Sequence, residues 1–231
     1  MIAPREIETS HNNNNNHHHR TNQTQCNPSQ FSALLITEIS SSIPVVEFGC
    51  GSSGDSLFLS NYGFYVHSSD KSKEIITSMR NNYNIYNVPA EDNDGNLRPS
   101  FSVCDCINVT DVKKLVRNTR AGSSRGNIVV YNRFLLHSLD ETEEKLFIHA
   151  LQQSLISGDR VFFEFRCSMD ELLPCSSSNK ADDVKRHVYA PDLVEHLNEE
   201  GFFVEYEQTG RGVAKYGNDD PFVSRIIARR R

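Results

Sequence analysis

Long apolar runs are missing: nothing in the 231 residues approaches the length needed to cross a bilayer, and the first residues lack the hydrophobic core of a secretory signal. A helical membrane protein is excluded, and a soluble, cytoplasmic chain with no membrane partner is expected. Positive charge is also short. Lys plus Arg number 24 against 30 Asp plus Glu, for a net charge of -6 and a pI near 5.8. Holding nucleic acid takes clustered Lys and Arg to neutralise phosphates, so a nucleic-acid partner is not expected, and Arg229, Arg230 and Arg231 read as a solvated tail. Cys26, Cys50, Cys104, Cys106, Cys167 and Cys175 form no C-x-x-C pair, and several sit in apolar contexts that suit small buried thiols. Cys104-x-Cys106 puts two thiols on one face of a strand without a second ligand pair nearby. His17, His18 and His19 have no Cys or acid cluster beside them. Neither a disulfide framework nor a metal site is expected.

What is present begins with a polar, low-complexity arm. Residues 1–28 carry HNNNNNHHHR and TNQTQCNPS, which cannot repay the entropy of ordering and should stay disordered. Residues 29–231, about 200, suffice for one α/β core. Residues 45–70 organise that core. Val45, Val46 and Phe48 read as a strand buried on both faces. Gly49, Gly51 and Gly54 follow in G-x-G-x-x-G spacing, where missing Cβ atoms allow a tight turn and close approach of a ligand. Residues 55–62 read as a helix with Ser52 or Ser53 as its cap. Asp70, 21 positions after Gly49, ends a second strand where a carboxylate can accept hydrogen bonds from ribose hydroxyls. A nicotinamide or flavin fold would instead place pyrophosphate on this turn, beside the unwelcome charge of Asp55.

The rest of the chain repeats the unit. A helix over 30–40 precedes the first strand, and helix 71–81 leads into a loop over 82–99. Phe101, Val103 and Cys104 form a strand ending at Asp105, which is either a ligand contact or the cap of a helix over 109–117. Residues 127–131 and 160–166 read as further buried strands, flanking a helix over 140–155 with Leu146, Phe147, Ala150 and Leu151 on its inner stripe. Glu141, Glu143 and Glu144 complement that helix's dipole. Residues 167–183 are long enough to act as a lid. Pro191 opens a helix ending near Gly201, and strands 202–207 and 222–227 form an antiparallel pair. Ligands gather at the C-terminal edges of parallel strands, so Tyr131 and the residues just after it are where chemistry is sought.

The pattern Glu47-x-Gly49-x-Gly51-x-x-Gly54 resembles the first motif of class I S-adenosylmethionine-dependent methyltransferases, and from about residue 45 to 228 the order of elements is similar to theirs. The resemblance implies a Rossmann-like, seven-stranded, mostly parallel α/β sheet with a C-terminal antiparallel hairpin and helices on both faces. It implies S-adenosyl-L-methionine as cofactor. Gly49, Cys50, Gly51 and Gly54 would wrap its methionine end, Glu47 would position the loop and the amino group, Asp70 and Lys71 would meet the ribose, Asp105 and Cys106 would lie beside adenine, and Tyr131 would sit at the cofactor edge. The stretches Asn132-Arg133-Phe134-Leu135-Leu136-His137-Ser138 and Phe163-Glu164-Phe165-Arg166, with the run 220–228, resemble a narrower group linked to surface polysaccharide and O-antigen synthesis in bacteria and some large viruses. An Asn/Asp-Pro-Pro-Tyr signature and a base-methylating Cys motif are both absent, which favours oxygen as acceptor. The expected activity is O-methylation of a sugar hydroxyl in a glycan or glycoconjugate, beside glycosyltransferase partner modules. A small metabolite or metalloid oxyanion as acceptor, or a non-catalytic cofactor-binding module, are the alternatives. His137 is the first choice of general base and His187 the second, with Arg133 assisting. Arg133, Glu164, Arg166 and Tyr189 are the expected acceptor contacts. His137 also reads as a helix-start residue bonded to backbone, and Arg133 and Arg166 as simple ion-pair partners of nearby acids.

Overall fold

Val45–Phe48 (β1) is buried along its whole length, as a strand covered on both faces must be. In the computed structural model, which describes residues 28–52, 54–85, 99–121, 126–169, 186–215 and 218–231, β1 pairs in parallel with Val66–Asp70 (β2) on one side and Val129–Arg133 (β4) on the other. Ser100–Val103 (β3) adds outside β2 and Arg160–Arg166 (β5) outside β4, both parallel. Val223–Arg230 (β7) then inserts antiparallel between β5 and Phe202–Gly210 (β6). The seven-stranded sheet has the order β3-β2-β1-β4-β5-β7-β6, the five parallel strands and antiparallel ending expected above. Chain connections leave β1 and β4 in opposite directions across the sheet, and such a switch point opens a crevice at the C-terminal strand ends.

The period-2 alternation of the strands sorts the core into two layers. Val46, Phe48, Val130, Val161 and Phe163 face Val109–Ala121 (α4), Glu141–Gln152 (α5) and Ala190–Glu199 (α6), where Phe147 of α5 meets Phe48 and Phe163 edge-on. Val45, Val129, Tyr131 and Phe162 face Gln30–Glu38 (α1) and Asp55–Asn61 (α2) through Phe31, Leu35 and Leu59. Lys73–Ile85 (α3) covers the β2–β3 end through Ile76.

Several boundaries differ from expectation for local reasons. α3 continues to Ile85 and α4 to Ala121, because no Gly or Pro interrupts either helix earlier. β4 covers Val129–Arg133 rather than 127–131, since its pairing with β5 carries on until Arg133 lies opposite Glu164. Leu146, expected on the inner stripe of α5, is 44 % exposed; Phe147, Ile148, Ala150 and Leu151 form that stripe. Gly54 stands at the N-cap of α2 without a side-chain bond, so Ser52 does not cap it, and Ser53 lies outside the described residues. So do the low-complexity arm, most of the expected 82–99 loop and most of the expected lid. No described helix is long and apolar enough to cross a membrane.

Candidate cofactor and acceptor site

Where β1 ends, Gly49 and Gly51 take φ of 66° and 52°, left-handed values that side-chain-bearing residues adopt only at a cost. The two glycines serve different ends. A Cβ on Gly49 would meet Leu135 Cδ1 at 2.9 Å, while a Cβ on Gly51 would point into open space. Gly49 lets the β4 end pack close, and Gly51 leaves a cradle that a ligand can enter. The bend is fastened to β2: the Cys50 N–H donates to the Ser69 carbonyl (2.9 Å), and the Gly51 N–H to Asp70 Oδ2 (3.1 Å). Ser72 N–H donates to the other Asp70 oxygen at 2.9 Å. Two backbone donors thus orient a half-buried carboxylate at the β2 tip and leave acceptor capacity for vicinal hydroxyls. Lys71 beside it is exposed.

Glu47 supports this bend from beneath. Only 3 % exposed, its Oε2 accepts from Ser56 (2.5 Å) and Ser68 (2.6 Å). Burial pushes its carboxyl up to about 7, the two hydroxyls pulling partly the other way. Next to it Asp55 gathers four donors: Ser29 N–H (3.0 Å) and Ser32 hydroxyl (3.1 Å) on one oxygen, Ser29 hydroxyl (2.9 Å) and Tyr131 hydroxyl (2.8 Å) on the other. Tyr131 is fully buried and its ring stacks on Phe31 at 5.1 Å. Burial, then the Asp55 charge, raises its hydroxyl well above the usual value, so it stays a donor. Strand alternation has turned Tyr131 toward α1 and α2, where it ties them to β4 under the bend instead of lining the ligand edge.

The β4 tip carries the site's charge. Arg133 Nε donates to Glu164 Oε1 (3.0 Å), and its Nη1 lies 3.7 Å from Asp55. Glu164, with no exposed surface, gives its second oxygen to Arg225 Nε at 2.7 Å. Expected to touch an acceptor, Glu164 has both oxygens occupied by Arg133 and Arg225. Phe134 follows at φ 60°, the non-glycine residue with positive φ among those described, held by its N–H to the Glu164 carbonyl (2.8 Å). For a bulky residue that conformation costs about 1–3 kcal/mol, and strain of this kind concentrates at ligand sites. Its ring lies 4.4 Å from the Arg133 guanidinium, 6.0 Å from that of Arg166 and 5.6 Å from the His137 ring, within cation–π range of both arginines. His137, 6 % exposed in the 3-10 turn Leu136–Ser138, accepts the Arg166 N–H at Nδ1, a long contact of 3.4 Å. Arg166 itself reaches Asp219 Oδ2 at 2.8 Å.

The structure does not bring every expected residue to this edge. His187 and Tyr189 line a groove of about 480 Å³ with Glu141 and Lys145 of α5 and Glu195 and His196 of α6, and the paired Arg186 and Glu144 line it too. The acids at the start of α5 each have local work: Asp140 and Glu143 form a capping box, and Glu141 pairs with Lys145. Asp105 does not cap α4, because Asn108 Oδ1 does so through Thr110 and Asp111 N–H groups. Asp105 accepts from Ile107 N–H at 3.3 Å and stays half-buried just beyond β3. Burial raises the Cys50 thiol strongly and pushes that of Cys106 up to about 12, so both remain protonated packing groups. Among the described residues no group of three or more His, Cys, Asp or Glu is placed to hold a metal. Sequence reasoning missed Ser56, Ser68, Phe134 and Arg225; the visible signal for the last was one charge within an apolar strand.

The family model described as tellurite resistance protein TehB matches residues 10–97, a stretch that includes the bend and Asp70 and is less than half of the chain. No curated protein sequence matches significantly. Solved structures do. A S-adenosylmethionine-dependent methyltransferase from Methanosarcina mazei aligns at TM-score 0.65 and 15 % identity over 85 % of this chain and 96 % of its own. Magnesium protoporphyrin IX methyltransferase from Synechocystis, solved with S-adenosylmethionine, aligns at TM-score 0.57 and 17 % identity over 87 % and 76 %. A glycopeptide N-methyltransferase complexed with S-adenosylhomocysteine aligns at TM-score 0.59 and 15 % identity over 88 % of both chains. At such identities the likeness is one of fold, and the fold of this chain is that of the S-adenosylmethionine-dependent methyltransferases.

Proposed function

We propose that this protein is a S-adenosylmethionine-dependent methyltransferase that methylates a sugar hydroxyl of a glycan or glycoconjugate. The observation that carries the reading is the open bend at Gly51, fastened to Asp70 at the sheet's switch point. The residues present fit the cofactor: Gly51 leaves room for its methionine half, Asp70 offers a pre-oriented carboxylate for ribose hydroxyls, and Asp105 stands beyond the neighbouring strand. When bound, the cofactor supplies an electrophilic methyl carbon on a sulfonium, open to in-line attack by oxygen. The chain's own task is then alignment and proton removal. Arg133, fixed by Glu164 and Asp55, and Arg166 present donors to a hydroxyl-rich acceptor. The acceptor hydroxyl gives its proton to His137: the Arg166 backbone N–H contact at Nδ1 is long, 3.4 Å, and it yields when the single lone pair of that nitrogen takes the proton. A positioned base of this kind supplies roughly 10²–10⁴-fold. Glycan acceptors would seat the protein beside glycosyltransferases.

A second reading, methylation of a small metabolite or metalloid oxyanion, draws on the TehB description of the matching family model. Calorimetry with S-adenosylmethionine, S-adenosylhomocysteine and NAD, followed by transfer of labelled methyl to a panel of sugars, small hydroxy acids and tellurite, separates the two. Uptake of NAD without heat from either sulfur compound would end the methyltransferase reading, and label on tellurite but no sugar would favour the second.

A further inference from the structure

The three arginines of the acceptor edge are not held alike. Arg133 and Arg225 flank the same carboxylate, Glu164, which has no exposed surface, and Arg133 also faces the buried Asp55. Removing those acids from their arginines would strand charge in the interior. Arg166, whose side chain is equally 20 % exposed, meets a different kind of acid: Asp219, 47 % exposed, at the rim on the β6–β7 connection. Its neighbour Asp220 is tied down by the Gly212 N–H at 2.7 Å and by Arg211 on its carbonyl, so the connection is held in place while the Asp219 side chain reaches in from solvent. An exposed pair of this kind is weak, and Asp219 can swing into water without becoming a buried unpaired charge.

We infer that Arg166 is the clamp for an acidic group on the acceptor, a carboxylate or phosphate borne by the sugar, and that Asp219 is a resident counterion which that group displaces. The inference rests on the methyl-transfer reading and narrows its substrate from a hydroxyl-bearing molecule to a hydroxyl-bearing acid. A planar guanidinium takes carboxylate and phosphate oxygens in a two-point grip. The Phe134 ring lies 6.0 Å from the Arg166 guanidinium and 5.6 Å from the His137 ring, so a sugar anchored by its acid at Arg166 and lying across that ring comes within reach of the base. Occupying Arg166 with Asp219 also gives selectivity: a neutral sugar gains nothing from displacing it, whereas an acid exchanges one anion for another and adds its own contacts.

The test uses the full chain saturated with S-adenosylhomocysteine, titrated calorimetrically with D-glucuronate, glucose 6-phosphate and glucose. At least one acid should bind tenfold or more tightly than glucose, and which acid does so tells carboxylate from phosphate. Asp219→Asn should tighten that acid by up to about fivefold, the worth of an exposed ion pair. Arg166→Gln should lower it to the level of glucose with S-adenosylhomocysteine affinity unchanged, and Arg166→Lys should fall between, keeping the charge but losing the fork. Glucose binding as well as both acids, neither acid binding, an acid preference that survives Arg166→Gln, or Asp219→Asn weakening the acid would each overturn the assignment. Failure to bind S-adenosylhomocysteine at the outset is a separate result and removes the methyl-transfer reading beneath it.

Discussion

Replacing Glu47 by Gln tests the physical picture of the bend without touching its shape. Glu47 is buried, and burial is the largest influence on a carboxyl that moves from 4.5 to about 7. At about 1.4 kcal/mol per tenfold change in proton affinity, the folded chain holds that proton roughly 3 kcal/mol more firmly than the unfolded one. The sign follows from linkage: between pH 4.5 and about 7 the folded state binds more protons, so Glu47's contribution to stability is most favourable below 4.5 and falls as pH rises to about 7. Above that the protein carries a buried carboxylate that the Ser56 and Ser68 hydroxyls and, more weakly, the Arg133 charge offset only in part. Gln keeps the volume, and both hydroxyls can rotate to satisfy its amide. Glu47→Gln should therefore match the wild type near pH 4 and exceed it by up to about 3 kcal/mol at pH 8, which is roughly 6–12 °C in Tm for a chain of this size. The assay is thermal and urea unfolding of both proteins at the two pH values, taking the difference so that other titrating groups cancel. A difference independent of pH, or a variant less stable at pH 8, refutes the reasoning. The gain should come with weaker S-adenosylmethionine binding at pH 8, because the ionised carboxylate favours a cationic ligand above it.

Phe134 pays for its left-handed backbone, so Phe134→Gly should be about 1 kcal/mol more stable than Phe134→Ala by urea unfolding, the reverse of the order at an ordinary extended position. Equal stabilities would show that φ 60° is not held in solution. Tyr131→Phe removes a donor from the buried Asp55 and should cost about 1–3 kcal/mol of stability with little change in cofactor affinity; the opposite pattern would return Tyr131 to the ligand edge. His137→Ala should lower turnover on the true acceptor by about a hundredfold or more while S-adenosylhomocysteine affinity is kept, and unchanged turnover removes His137 from the mechanism.

What could be read in advance follows the range of the interactions concerned. Strand β5 was legible to the residue, RVFFEFR being bounded by charge at both ends, and so was the bend, because glycine spacing is a local demand on φ. Helix ends were less so: the capping box of Asp140 and Glu143 leaves a trace in sequence, whereas the continuation of α3 to Ile85 depends on the absence of a breaker more than on any signal. Tyr131 is expected at the cofactor edge, and its side chain instead packs against α1 and α2, since the inward or outward sense of each strand side chain is set by pairing with neighbours.

The acceptor edge illustrates why the remainder was out of reach. Arg133, Glu164 and Arg225 stand side by side on three adjacent strands, Arg133 opposite Glu164 in the parallel pair and Glu164 opposite Arg225 in the antiparallel one. In the chain they are 31 and 61 residues apart. Only the reversal of β7 puts its N-terminal part, where Arg225 lies, at the sheet edge where the parallel strands end; a parallel strand in the same slot would carry Arg225 away from that edge. The direction of β7 therefore completes the charge row that fixes Arg133, leaving Arg166 two pairing positions further along, opposite Val223. Val223 offers the Arg166 guanidinium no charge across the sheet, and Asp219, which meets it, comes from the connection between β6 and β7 and so from outside the strands.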